Sequence, residues 1–455
     1  MATYLVTGGA GFIGSNLVHE LVRRGERVRI LDNFSTGRRE NLRGLDDKME
    51  IIEGDLGEPA AVKKAVHGTD VILHHAALPS VARSIEDPTG THAANATGTL
   101  NLLVAARASN VKHVVYASSS SVYGDSPVLP KEEGMRPEPK SPYAASKLAG
   151  EGYCLAFWKA YGLETVCLRY FNVFGPRQDP NSPYAAVIPN FITRMLQGEP
   201  PTIFGDGLQS RDFTYVEDVV EATLLAATVP AAAGQVLNIA CGRQHTLWDL
   251  VRILNDVLGT ETFPRLARPR SGDVRHSQAE VMKARALLGF RPRIDFEEGL
   301  RRTVLWIRAS TSRPTGTGND RPGIGETSEG SPAILIAEDD PMLTLVLHEY
   351  LDRFDFAVHT TDSHEEARRW LEEEGGLLLL DGSVFKQMGI PLADLPRRAV
   401  ICSGDADLVE EARRLGMTAF CKGRLDDLGK TLRQIATEGP HIPSSAPIPL
   451  RRRAA

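Results

Sequence analysis

Cysteine is scarce in this chain, with five residues in 455, at positions 154, 167, 241, 402 and 421. Their spacing matches neither paired metal ligands nor a dense set of bridges, which excludes a disulfide scaffold and predicts thiols packed in cores in a reducing, cytoplasmic setting. Long apolar runs are also lacking: none is long enough to cross a bilayer, and no charged stretch with an apolar segment precedes the first apolar run. A membrane partner is therefore not expected. There is no excess of base either, since the formal net charge is -6 with both signs interspersed. No basic field is available for nucleic acid, and a small-molecule partner is the expectation. A hydrophobic content of 42% in a chain of this length allows two or three globular domains.

Near the start, Tyr4-Leu5-Val6 breaks into Gly8-Gly9-Ala10-Gly11-Phe12-Ile13-Gly14 and becomes helical from Ser15 to Arg24. The pattern predicts strand, tight turn and helix. Glycines let a backbone approach a pyrophosphate, and the free amides and dipole of a helix start face negative charge. Such turns are common, so the partner acid decides. Val28-Arg29-Ile30-Leu31 ends in Asp32, eighteen residues after Gly14, where a carboxylate accepts hydrogen bonds from an adenosine ribose. Gly8, Gly11, Phe12, Ile13, Gly14, Asp32 and Asn33 are the candidate dinucleotide residues. NAD is favoured over NADP because a carboxylate repels a 2′-phosphate; Arg38 and Arg39 just downstream are the counter-argument.

The winding continues through Met49-Glu50-Ile51-Ile52, which ends at Asp55-Leu56, a helix over 59–67, the strand Val71-Ile72-Leu73-His74 and a helix over 91–108. The fold class is thus α/β, a doubly wound parallel Rossmann sheet. Asp55 and Leu56 can meet an adenine ring, or Asp55 can simply form a turn. Ala76 and Ala77 leave room for a cofactor, and Asn95 is expected to steady the loop that follows its helix.

The chemistry concentrates where the strand from Lys112 runs into Ser118-Ser119-Ser120-Ser121-Val122-Tyr123-Gly124. Ligands bind at such strand ends in open α/β sheets. Then Ser141-Pro142-Tyr143-Ala144-Ala145-Ser146-Lys147 opens a helix and sets Tyr143 and Lys147 four apart on one face. An ammonium favours a neighbouring phenolate, which predicts a Tyr143 pKa lowered toward neutrality and a general-base role, with a serine hydroxyl on the substrate oxygen. The same spacing arises by chance on solvated helix faces; its position after a dinucleotide fold and a serine cluster favours catalysis.

Taken together, these segments resemble the extended short-chain dehydrogenase/reductase family over roughly residues 1–310. Leu168-Arg169-Tyr170-Phe171-Asn172-Val173-Phe174-Gly175-Pro176 and Ser210-Arg211-Asp212-Phe213 are similar to nucleotide-sugar 4-epimerases within it. The resemblance implies a catalytic set of Ser119, Tyr143 and Lys147, with Ser118 and Ser120 as adjacent competitors for the serine role. It implies further NAD contacts from Tyr143, Lys147 and Tyr170, with Phe171 beside the last at the nicotinamide end. Asn172 and Arg211 would bind the nucleotide diphosphate, Arg270 the diphosphate and Asp273 the ribose. A homodimer through helices flanking the catalytic one is also implied. Ser120 and Ser121 stand where related 4,6-dehydratases and sugar-acid decarboxylases carry a glutamate, often beside an aspartate; without that acid, elimination lacks its proton shuttle.

Residues 176–305 form a smaller substrate-binding lid, with helices over 187–197 and 246–258 and the strand Val236-Leu237-Asn238-Ile239. Ser277 falls where a bulky tyrosine excludes N-acetylated sugars in some epimerases, and the run 179–189, which includes Val187, is similar to the N-acetyl-accepting group. The expected substrates are UDP-N-acetylglucosamine and UDP-N-acetylgalactosamine, with UDP-glucose and UDP-galactose as the second pair. A plain loop serine is the simpler account of Ser277, since one position rarely sets specificity.

Residues 309–331 turn to Ser, Thr, Pro and Gly, a flexible linker. Winding then resumes. Ala333-Ile334-Leu335-Ile336-Ala337 meets Glu338-Asp339-Asp340, a helix runs to about Arg353, and later apolar runs end at Asp381, Ser403 and Lys422. This stretch, 332–438, resembles the flavodoxin-like receiver domain of response regulators. The resemblance implies Asp381 as phosphoacceptor, Glu338, Asp339 and Asp381 around Mg²⁺, Ser403 and Lys422 on the phosphoryl oxygens, and a histidine kinase or phosphotransfer partner. Three carboxylates suit such a hard cation. Gly423 replaces the usual proline and the Met-Pro pair after Asp381 is missing, so a receiver used only for docking is the alternative. The tail, 439–455, is expected to be disordered.

Three functions remain open: an NAD-dependent UDP-sugar 4-epimerase joined to a phosphorylation-responsive receiver, a nucleotide-sugar dehydratase, decarboxylase or reductase on the same fold, and a non-catalytic dinucleotide sensor coupled to the receiver.

Overall fold

Apolar runs separated by glycine turns become a seven-stranded parallel sheet in the computed structural model. Its strands are β1 (Thr3–Thr7), β2 (Arg27–Asp32), β3 (Met49–Glu53), β4 (Val71–His74), β5 (His113–Ser119), β6 (Glu164–Tyr170) and β7 (Val236–Ile239). They lie in the order β7-β6-β5-β4-β1-β2-β3. Val6 stands opposite Ile30 on one side and Leu73 on the other. All four residues of β4 are buried, as a parallel strand covered on both faces requires. The winding reverses between β1 and β4, so the loops leaving these two strands flank the crevice where such sheets take ligands. The structure describes residues 2–45, 48–180, 186–269, 274–311, 332–339, 344, 347–348, 351, 356–372, 376–396, 398–403, 405–421 and 428–438.

Helices α1 (Phe12–Arg23), α2 (Pro59–Val66), α3 (Gly98–Ala108) and α4 (Pro142–Tyr161) cover the sheet. The catalytic-helix candidate α4 has clear local causes: the Ser141 hydroxyl accepts from the Ala144 amide, Pro142 occupies the first turn, and Gly162 ends the helix at φ 71°. The helix expected over 91–108 is not continuous. Pro88–His92 is α-helical, Ala93–Thr97 is a π-helical turn, and α3 follows. This inserted turn carries Asn95, which binds backwards to Leu78 in the loop after β4 and not to a following loop.

The smaller part is built on α5 (Val187–Leu196), α7 (Leu247–Leu258) and α8 (Phe296–Thr311), while α6 (Val216–Thr228) packs on the large sheet beside α1. Thr246 and Asp249 form a reciprocal capping box at the start of α7. Aromatic packing centres on Phe174, whose ring meets Phe213, Tyr215 and Phe296 edge-on. Residues 309–311, expected as linker, continue α8.

The chain divides into two compact units, Met1–Ile307 and Arg308–Ala455. The second contains β8 (Ala333–Ala337), β9 (Ala357–Thr361), β10 (Leu377–Asp381), β11 (Ala399–Ser403) and β12 (Ala419–Cys421), ordered β9-β8-β10-β11-β12 and all parallel. Every residue of β10 and β11 is buried. Arg270, Asp273, Lys422, most of the linker, most of the helix expected to end near Arg353 and the tail from 439 lie outside the described residues.

Candidate active site

The dinucleotide turn is dictated by its glycines. Gly8 has φ +69°, and a Cβ there would stand 2.7 Å from the Ala76 amide nitrogen; a Cβ on Gly14 would stand 2.1 Å from the Gly8 carbonyl oxygen. Neither tolerates a side chain. Gly11 differs, because its nearest neighbour would be the Gly8 oxygen at 3.2 Å. It borders the start of α1, which opens at Phe12 with no described side chain capping its first-turn amides, followed by Ile13 and Gly14. A bare surface backed by helix amides fits the pyrophosphate of NAD.

Asp32 ends β2 buried, accepting from the Ala10 amide at 2.9 Å and the Phe34 amide at 2.8 Å. Burial raises its pKa, and these two hydrogen bonds oppose that rise. Arg38 is paired with Asp179 at 2.5 Å and Arg39 with Glu53 at 2.5 Å, so both arginines are engaged by carboxylates. Asp55 takes the turn role, accepting from Gly57 at 2.6 Å, and also receives the Asn33 amide at 2.5 Å. Leu56 is buried in the core. The Thr7 hydroxyl oxygen accepts from the Ala76 amide at 3.2 Å at the same edge. Ala77 is half-buried in the same loop, which Asn95 steadies through Leu78.

At the end of β5 the three candidate serines separate. Ser118 Oγ donates to Glu151 at 2.5 Å. Ser119 neighbours the Tyr143 phenol, whose pKa its hydroxyl lowers, and accepts from the Ser121 amide at 3.2 Å. Ser119, Tyr143 and Lys147 are thus gathered where β5 meets α4. The Lys147 ammonium donates to the Ala117 carbonyl at 2.9 Å. One expectation is corrected here: burial raises the Tyr143 pKa above its ordinary value, with only the Ser119 hydrogen bond lowering it, while burial lowers Lys147 to about 8. Desolvation is the larger influence on the phenol in this geometry.

Tyr170 is also less available than expected. Its hydroxyl is shared with Thr223 at 2.8 Å and His75 at 3.0 Å, and Phe171 beside it is fully buried.

A pocket of about 320 Å³ opens between the lid and the end of β6. Asn172, Val187 and Arg211 all line it, together with apolar Phe174, Phe204 and Phe213. Asn172 adopts φ +35° and donates to the Asp212 carbonyl at 3.1 Å. Ser277 is half-buried and tied by its amide to the Ser210 carbonyl at 3.0 Å, next to Arg211.

Sequence reasoning missed two buried networks. His74 bridges the hydroxyls of Thr7 and Thr99, each at 2.8 Å. Arg169 clasps Glu151 at 2.9 and 2.8 Å. The second had a signal, since Glu151 follows Lys147 by four residues on the same helix.

In the second unit, Glu338, Asp339 and Asp381 place one carboxylate oxygen each within 4.8 Å of the others. Asp381 accepts from the Ser383 amide at 2.7 Å, and Ser403 accepts from the Asp405 amide at 3.1 Å.

A seven-stranded parallel sheet with a glycine turn at its winding reversal, a Ser-Tyr-Lys group and a lidded pocket defines a Rossmann-type short-chain dehydrogenase/reductase architecture. The profile of the NAD dependent epimerase/dehydratase family matches residues 4–240, and the chain belongs to that family. It is 40% identical over 308 residues to the UDP-glucose 4-epimerase of Mycolicibacterium smegmatis, covering 67% of this chain and 98% of that one. It is 34% identical over 315 residues to the UDP-N-acetyl-alpha-D-glucosaminuronate decarboxylase of Bacillus cytotoxicus, covering 67% and 97%. The solved UDP-N-acetylglucosamine 4-epimerase of Methanobrevibacter ruminantium M1, in complex with UDP-N-acetylmuramic acid, superposes with a TM-score of 0.66 at 43% identity, covering 68% and 99%.

Proposed function

We propose that the first unit is an NAD-dependent UDP-sugar 4-epimerase that interconverts UDP-N-acetylglucosamine and UDP-N-acetylgalactosamine, with the glucose and galactose pair as secondary substrates. The observation that carries this reading is the Ser119–Tyr143–Lys147 group combined with serines, not acids, at 120 and 121. NAD, when bound on the Gly8 to Gly14 turn, supplies the acceptor and donor of a hydride. Ser119 holds the sugar O4 and Tyr143 takes its proton, with Lys147 stabilising the phenolate. Loss of the C4 hydrogen leaves a 4-keto sugar. It turns within the pocket, and return of hydrogen to the opposite face with a proton from Tyr143 gives the 4-epimer. Asn172 and Arg211 hold the diphosphate throughout, and Tyr143, supported by Lys147, handles the proton without a carboxylate. Arg270, Asp273 and Ser277 complete the sugar-nucleotide site in this reading, and the protein acts as a homodimer in the cytoplasm.

The 34% identity to a decarboxylase keeps that chemistry as the second reading. NMR of the purified protein with UDP-N-acetylglucosamine and, separately, UDP-glucose, without added NAD, tests both. Appearance of the acetylated 4-epimer supports the proposal; turnover of UDP-glucose alone keeps the mechanism and removes the acetyl preference. A product of altered mass overturns it in favour of the second reading, and no product from either sugar moves weight to the non-catalytic sensor.

We further propose that the second unit is a receiver domain. The support is its 2-1-3-4-5 strand order with Glu338, Asp339 and Asp381 converging at strand ends. Asp381 would accept the phosphoryl group from a histidine kinase or phosphotransfer partner with Mg²⁺ on the three carboxylates, while Ser403 and Lys422 contact the phosphoryl oxygens.

A further inference from the structure

Three consecutive residues at the end of β5 are fastened to three residues spaced four apart on α4. Ser119 meets Tyr143, the Ala117 carbonyl receives Lys147 at 2.9 Å, and Ser118 donates to Glu151 at 2.5 Å. The last contact has no place in the reaction described above. It is nevertheless built at high cost. Ser118, Glu151 and Arg169 are all at most 4% exposed, and an ion pair buried to that degree gives up more hydration than a hydrophobic pair of similar size.

The geometry says what that cost secures. Arg169 is the cross-strand partner of Ser118 in the β5–β6 register, so both reach Glu151 from adjacent strands. The guanidinium holds the carboxylate through two hydrogen bonds, at 2.9 and 2.8 Å, and lies 4.7 Å from the centre of the Tyr123 ring. Tyr123 in turn donates to Asn238 on β7 at 2.7 Å. A bidentate pair fixes orientation as well as distance. Glu151 is therefore a rigid post to which the strand end is pegged one residue before Ser119.

We infer that Glu151, clamped by Arg169, is a positioning residue that acts through Ser118 to hold Ser119 in register with Tyr143. This rests on the epimerase reading for its effect on turnover, but the register itself can be observed without turnover. Ser118→Ala removes the peg and leaves the Glu151–Arg169 pair intact; Glu151→Gln keeps an acceptor for Ser118 and removes the charge that Arg169 clasps.

The test combines steady-state kinetics with ¹³Cζ-tyrosine NMR at fixed pH, the Tyr143 resonance being assigned by its loss in Tyr143→Phe. In Ser118→Ala the resonance is expected to move as the Ser119 hydrogen bond loosens, and kcat to fall between about 10- and 100-fold with KM for the UDP-sugar unchanged. If Ser118→Ala fails to fold, the same two readouts on Ser118→Cys, which keeps the volume and weakens the donor, decide. An unmoved resonance overturns the inference, as does a moved resonance with kcat within about twofold of the parent in an active enzyme. If the parent turns over no UDP-sugar yet the resonance moves, the positioning contact stands and the epimerase reading is what fails.

Discussion

The Lys147 ammonium donates to the Ala117 carbonyl oxygen at 2.9 Å, while burial holds its pKa near 8 and lifts that of Tyr143. The proton acceptor is thus scarce at neutral pH and the charge that supports it fades above 8. The pH profile of kcat is expected to climb from neutrality, because more phenolate forms, and then to turn over as Lys147 deprotonates. Initial rates between pH 6 and 10 check this. Tyr143→Phe should lose about 10²- to 10⁴-fold in kcat while its circular dichroism stays that of the parent.

Arg211 lines the pocket and anchors itself on the Ser210 and Arg275 carbonyls, at 2.9 and 3.2 Å. A guanidinium braced in this way meets a diphosphate without further ordering. Arg211→Ala is expected to raise KM about 10- to 100-fold, the worth of one charge-assisted hydrogen bond, with little change in kcat. An unchanged KM would remove Arg211 from the binding site.

Gly11 and Gly14 should respond differently to alanine. A methyl on Gly14 collides with the Gly8 carbonyl, so Gly14→Ala is expected to lower the thermal midpoint. At Gly11 the nearest atom is 3.2 Å away, so Gly11→Ala is expected to fold and to lose NAD affinity. Differential scanning fluorimetry with and without NAD separates the two outcomes.

Three histidines of the first unit, the buried His74 and the half-buried His19 and His75, are held in neutral form. Burial lowers His19 and His75 to about 3 and His74 well below its ordinary value. Below pH 6.5 the unfolded chain binds protons that the folded chain refuses, so stability is full above that value and declines as pH falls toward 3. The loss is about 1.4 kcal/mol per pH unit for each group. Urea titrations at pH 7, 6 and 5 should show the decline, and His74→Gln should make it shallower.

Asp381 is the expected phosphoacceptor of the second unit. Acetyl phosphate with Mg²⁺ should add one phosphoryl mass to the intact protein, and Asp381→Asn should abolish the addition. Unchanged mass in the parent would leave a docking role. Epimerisation rates before and after treatment show whether the phosphoryl group affects turnover.

The glycine turn, Asp32 and the Tyr143–Lys147 pair were legible in the sequence because each depends on local spacing that one strand or one helix turn enforces. What was not legible depends on contacts between distant segments. Four serines in a row do not by themselves show which one faces Tyr143; the resemblance implied Ser119, and the competitor Ser118 is seen to be claimed by Glu151 only in the fold. Apolar periodicity over 91–108 cannot reveal the π-helical turn at Ala93–Thr97, whose extra residue aims Asn95 at Leu78. The direction of the Tyr143 shift was misjudged for the same reason, since a neighbouring charge can be read from spacing and depth of burial cannot.

The order of the large sheet has a consequence for how the chain acquires its structure on the ribosome. β1 lies inside the sheet, yet its two neighbours emerge after it, at 27–32 and 71–74, and the edge strand β7 only at 236–239. One side of β1 is unsatisfied until the second neighbour arrives, and β6 stays an open edge for the 65 residues between its last residue, Tyr170, and Val236. Loop closures of this length slow folding, so the nascent chain presents apolar strands to chaperones for most of its synthesis.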